Sequence, residues 1–182
     1  MCIMCDGASR DEVLFGLHRK VLRYGWALQA VGGDDERADW IYTCGLSSGF
    51  THPELVIVGG RLEDSARALN EVGELVRGGR RFEAGDRVDL TRGTITFDEV
   101  HPVHLSDGLV AVCDEYHEAL GGPQVTERVL QVVPVSGAMR VGEPPPPLLS
   151  DPDAEVTTHI AVRPNRATRR ARDRARRHRR GR

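Results

Sequence analysis

The sequence predicts an α+β domain: a mixed or mostly antiparallel sheet flanked by about three helices, followed by a disordered basic C-terminal tail. Three observations predict it. Apolar residues recur at helical spacing in three separate stretches. Between them lie short runs that alternate or are wholly apolar, bounded by glycine-containing turns. These strand-like runs cluster instead of alternating strictly with helices, which favours α+β over a doubly wound parallel sheet.

The first helix is predicted over 10–24. Ser9-Arg10-Asp11-Glu12 has the form of a capping box, in which the Ser9 hydroxyl takes a backbone N–H three residues on and Glu12 reaches back. Val13, Leu14, Leu17, Val21 and Leu22 follow at helical spacing, and Gly25 suits the left-handed position that ends a helix. Residues 26–31 read as a strand that turns at Gly32-Gly33-Asp34-Asp35. A second strand is predicted over 41–46, with Ser47-Ser48-Gly49 as its exit turn. Leu55-Val56-Ile57-Val58 is unbroken apolar sequence, as in a strand covered on both faces.

After Gly59-Gly60, the spacing of Leu62, Ala66, Leu69, Val72 and Val76 predicts a second amphipathic helix closed by Gly78-Gly79. Two strands, 87–90 and 94–100, flank the Thr91-Arg92-Gly93 turn. A third helix spans 109–120, ended by Gly121-Gly122-Pro123, and a last strand spans 128–135. Pro144 through Pro147 favour an extended polyproline segment. The expected organisation is one domain over 1–140, a proline-rich linker or edge segment over 141–162 and a tail over 163–182.

The 182 residues are 40% apolar, enough for a core that needs no disulfide or metal staple. No run approaches a membrane span, and Met1-Cys2-Ile3-Met4-Cys5-Asp6 lacks the basic and apolar regions of an export signal. The expectation is a cytoplasmic protein without membrane association, with Cys2, Cys5, Cys44 and Cys113 reduced. The formal charge of -2 hides two opposed parts. Residues 163–182 hold eleven arginines and one acid, Asp173, and so carry +10. The rest holds 14 basic and 26 acidic residues, a net of -12.

Met1-Cys2 with Cys5-Asp6-Gly7, Tyr24-Gly25-Trp26, Tyr42-Thr43-Cys44-Gly45-Leu46 and His52-Pro53-Glu54-Leu55 occur in that order. With the 78–85 stretch and Leu130-Gln131-Val132-Val133, they resemble the bacterial family catalogued as domain of unknown function 4262, over about residues 1 to 137. The family usually ends in an acidic residue and Pro-Trp after its last strand, and Val135-Ser136-Gly137-Ala138-Met139 departs from that. The resemblance implies a small bacterial cytoplasmic domain and brings no activity with it.

Four clusters carry candidate chemistry. Tyr42, Thr43, His52 and Glu54 bracket a glycine-containing turn between two strands, where functional groups tend to sit. Imidazole and carboxylate on either side of Pro53 suit an acid–base pair or a ligand clamp; the plainer reading is that they cap the turn. Cys2 and Cys5 have the spacing of a zinc chelate, with His101 and His104 as remote partners and Cys44 or His18 as others. The plainer reading makes these cysteines small hydrophobes, and no cofactor is otherwise expected. Gly59 and Gly60 precede a helix whose free N–H groups suit an anion, although Glu63 and Asp64 already answer the helix dipole. His18 reads as a half-buried core neighbour, His117 as part of a solvated helix face, and Trp26 and Trp40 as packing residues.

The tail is the strongest partner signal. Arg169, Arg170, Arg172, Arg174, Arg176, Arg177, Arg179 and Arg180 suit nucleic-acid phosphates, bound with release of counterions. No aromatic residue is available there for base stacking, so little sequence preference is expected. Folding back onto the acidic body, or a dispensable terminus, are the bland alternatives. Two functions follow as expectations: a small binding module with a polyanion-binding tail, or an enzyme or ligand-binding domain using the 42–54 region with zinc at the cysteine pair.

Overall fold

The structure, a computed structural model, describes residues 9–33, 38–122, 128–136 and 147–154. Helix α1 (Arg10–Tyr24) begins at the predicted capping box and ends at Gly25, whose φ of 90° is left-handed. Strands β1 (Ala27–Val31) and β2 (Trp40–Cys44) follow, then α2 (Leu46–Phe50), β3 (Glu54–Val58) and α3 (Leu62–Arg77). The hairpin β4 (Arg87–Leu90) and β5 (Gly93–Glu99) leads to α4 (Pro102–Ser106), α5 (Ala111–Ala119) and β6 (Val129–Ser136).

The six strands form one mixed sheet in the order β1-β2-β3-β6-β5-β4. Every pairing is antiparallel except β3 with β6, which run parallel with Leu55 opposite Leu130. The α+β expectation therefore holds, with a mixed sheet. The three longer helices lie where periodicity predicts them, and two five-residue helices, α2 and α4, add to them. The Ser47-Ser48-Gly49 segment, expected as a turn, is the body of α2, and β2 stops two residues before the expected end.

Helices cover both faces of the sheet. Trp40, Tyr42, Cys44, Val56 and Val58 pack with Leu17 of α1 and with Leu105, Leu109, Val110, Cys113 and Tyr116. On the other face Ile41, Leu55, Ile57, Leu130 and Phe97 pack with Leu69, Val72 and Val76 of α3. Alternation along β3 thus feeds two cores, which is why its apolar run is unbroken. Trp26 and Trp40 are both core residues, as expected. Leu22 departs from expectation: it lies on the outer side of α1, 73% exposed.

Packing continues past the prolines. Leu149 is fully buried; its N–H donates to Gln131 Oε1, while Gln131 Nε2 donates to the Pro147 carbonyl. The amide of His101 donates to the Leu149 carbonyl. Residues 147–154, which fall in the expected linker or edge segment, are thereby tied to β6 and to the start of α4. Val156 to Val162 and the arginine tail lie outside the described residues. Among the described residues no helix is long and apolar enough to cross a membrane.

Candidate functional site

The β2–α2–β3 corner places the candidate residues of the 42–54 region. Gly45 caps the start of α2 at φ 116°, a left-handed angle that favours glycine. A Cβ there would meet Val21 Cγ1 at 2.9 Å, so the position is closed to side chains on steric grounds as well. Gly45 brings no side chain to cap the orphan amides of α2. Glu54, nine residues later at the start of β3 and fully buried, supplies one. Its Oε1 accepts from the Gly45 amide at 2.9 Å, the Ser47 amide at 3.0 Å and the Ser47 hydroxyl at 2.8 Å. Its Oε2 accepts from the Thr43 hydroxyl at 2.7 Å, and Thr43 in turn accepts from the Leu55 amide. The carboxylate occupies the place at a helix start that an anion would take, and four donors offset the cost of burying it.

His52 is bound differently. Its Nδ1 lies 2.7 Å from the Pro53 carbonyl, and its Nε2 lies 3.2 Å from the Phe82 amide. A carbonyl can only accept and an amide N–H can only donate. The ring is therefore neutral, with its proton on Nδ1. It packs edge-on against Phe82, which stacks on Phe97 with ring centroids 4.6 Å apart. Burial holds the imidazole below its usual value, and the charge of Arg81 adds to that. Thr51, just before it, is the one described non-glycine residue with a positive φ, 54°, so the backbone is forced through a left-handed turn to set His52 inward.

The four predicted residues are thus drawn to different partners. Thr43 and Glu54 meet each other, and His52 faces Phe82. Tyr42 is buried in the opposite core among Cys44, Leu109 and Cys113, where burial pushes its hydroxyl well above the usual value. Of the other candidates, Gly59 and Gly60 make a turn at φ 77° and 68° before α3, with the Gly59 amide donating to the Asp39 carbonyl. His101 caps α4, accepting the Val103 amide on Nδ1. His104 is buried, with Nε2 2.8 Å from the Asp151 carbonyl. Cys2 and Cys5 lie outside the described residues, as do the tail arginines.

Sequence reasoning missed one cluster. His117, expected on a solvated face, is 8% exposed and turns inward from α5. Its Nε2 lies 4.0 Å from Cys113 Sγ, one helical turn earlier, and both stand beside Cys44 at the end of β2. The two sulfurs and the imidazole nitrogen lie within 4.8 Å of one another, a group with the geometry to hold a metal ion. The contact with the neighbouring Cys44 thiol, and then burial, push the Cys113 thiol far up, while the Cys113 contact raises His117. Cys113 and His117 share the predicted 109–120 helix at i, i+4, which is the sequence signal for the pair. Their meeting with Cys44 is tertiary. Across the same core His18 Nδ1 reaches the Tyr116 hydroxyl at 3.1 Å, in keeping with its half-buried expectation.

A family model described as "Domain of unknown function (DUF4262)" matches residues 20–135. No curated protein and no solved structure matches the chain.

Proposed function

For a chain that belongs to the DUF4262 family, we propose the function of a small binding module whose arginine tail attaches it to nucleic acid through the phosphate backbone. One observation carries the reading: eleven arginines and a single acid in residues 163–182, against a net of -12 in the rest of the chain. Such a density of guanidinium groups binds polyanions through counterion release, largely without regard to base sequence. The acidic body repels phosphate, which leaves the tail as the contact and keeps the domain held off the nucleic acid. A cytoplasmic location accords with this reading.

The geometry of the β2–α2–β3 corner supports it from the other side. An acid–base catalyst needs atoms free to exchange protons with a substrate. The oxygens of Glu54 and both ring nitrogens of His52 are engaged with backbone and hydroxyl groups of the domain itself. The enzyme or ligand-binding alternative at Tyr42, Thr43, His52 and Glu54 therefore has less support than the binding module.

The test is direct binding of labelled single-stranded RNA and duplex DNA to the full chain. It is repeated with a variant carrying glutamine at Arg169, Arg170, Arg172, Arg174, Arg176, Arg177, Arg179 and Arg180. The variant is expected to bind at least about 100-fold more weakly, and scrambling the oligonucleotide to change affinity little. Equal affinity of the two proteins would reject the reading.

A further inference from the structure

We propose that Cys44, Cys113 and His117 form a zinc site buried between β2 and α5, with the two sulfurs and the His117 Nε2 as ligands.

Spacing is the first argument. Zinc–sulfur bonds of about 2.3 Å and zinc–nitrogen bonds of about 2.0 Å place ligand atoms roughly 3.5–3.8 Å apart in a tetrahedral site. Cys113 Sγ and His117 Nε2 already stand 4.0 Å apart, and all three atoms fall within 4.8 Å. Contraction by at most about 1.3 Å closes the site, within the reach of side-chain torsions. The helix supplies two ligands at i, i+4 and the strand end supplies the third, so the scaffold on both sides is rigid.

Charge selects the ion. All three residues are buried, and Glu54, a buried carboxylate, lies within electrostatic reach of Cys113 and His117. Two thiolates alone would add uncompensated charge to this core at high cost. A divalent ion with two thiolates and a neutral imidazole is electrically neutral, whereas a monovalent copper ion leaves a net negative charge beside Glu54. Soft sulfur ligands at the same time disfavour magnesium, calcium and manganese. With three protein ligands, a tetrahedral ion keeps one position for water or another small ligand. The competing account is that Cys44 and Cys113 are small core residues without a ligand.

The experiment uses the untagged full chain, stripped with chelator, kept reduced with a phosphine, and titrated with cobalt(II). Cobalt takes the zinc geometry and reports bound sulfur as a near-ultraviolet thiolate charge-transfer band. The expected result is such a band, saturating at one ion per chain and bleached by added zinc. Cys2→Ser/Cys5→Ser keeps it. Cys113→Ser weakens affinity by more than about tenfold, as does His117→Gln, the variant at the least buried ligand, should the serine protein fail to fold. Absence of the band in the reduced wild-type chain would overturn the site. So would a band that survives Cys44→Ser/Cys113→Ser and vanishes in Cys2→Ser/Cys5→Ser.

Discussion

At the residue scale, the corner between β2 and β3 turns on two buried polar side chains with separate duties. Glu54 accepts four hydrogen bonds, three of them from Gly45 and Ser47 at the start of α2. Glu54→Gln keeps the shape but sets an amide donor against N–H and O–H donors. It is expected to lower unfolding free energy by about 1–3 kcal/mol, read from urea denaturation. His52 gives a pH signature. Its neutral ring donates from Nδ1 to Pro53 and accepts the Phe82 amide on Nε2, so protonating Nε2 removes a bond as well as burying a charge. Because burial lowers its native value below the usual 6.5, the unfolded chain takes the proton first as pH falls. The His52 contribution is therefore constant above about pH 6.5 and declines from there down to the lowered native value. The difference in unfolding free energy between wild type and His52→Ala should shrink on acidification across that window. An unchanged difference would show that His52 does not titrate this way. Both residues were legible in the sequence as unusual; their partners were not. Pro53 signals that His52 is held in extended backbone, but the Phe82 amide that fixes its tautomer comes from a distant loop.

At the element scale, legibility followed how local the cause is. Helix α1 carries its own start and stop in Ser9, Glu12 and Gly25, so its bounds were readable to the residue. Helix α2 was not, because Ser47-Ser48-Gly49 has turn composition and becomes helical with its first amides held by Glu54. His117 was missed because Asp114, Glu115 and Glu118 around it suggest a solvated face, while α5 turns Cys113, Tyr116 and His117 to the core. In α3 the fit to the sheet depends on the absence of a side chain. A Cβ at Gly73 would stand 2.6 Å from the ring of Trp26, whose Nε1 donates to Asn70 on the same helix. In an exposed helix Gly→Ala stabilises by about 1 kcal/mol. Here overpacking against a buried indole reverses the sign, and Gly73→Ala is expected to destabilise by about 1–3 kcal/mol in thermal or urea unfolding. Stabilisation would contradict the close approach of α3 to Trp26.

At the scale of the whole molecule, two opposed charge densities share one chain. The α+β class, the clustering of strands and the charge division follow from periodicity and composition. The parallel β3–β6 pairing and the docking of Leu149 do not, because both join segments far apart in sequence through contacts such as Gln131 to residues 147–149. The central claim is that the arginines of residues 163–182 contact phosphates while the body does not. The most direct measurement is the slope of log affinity against log salt for duplex DNA. With all eight arginines of residues 169–180 engaged, the full chain should approach a slope of about -7, since each neutralised phosphate contributes about -0.9. The eight-glutamine variant, which keeps Arg163, Arg166 and Arg182, should be no steeper than about -3. Equal slopes for the two proteins, or salt-insensitive binding by the full chain, would contradict the account.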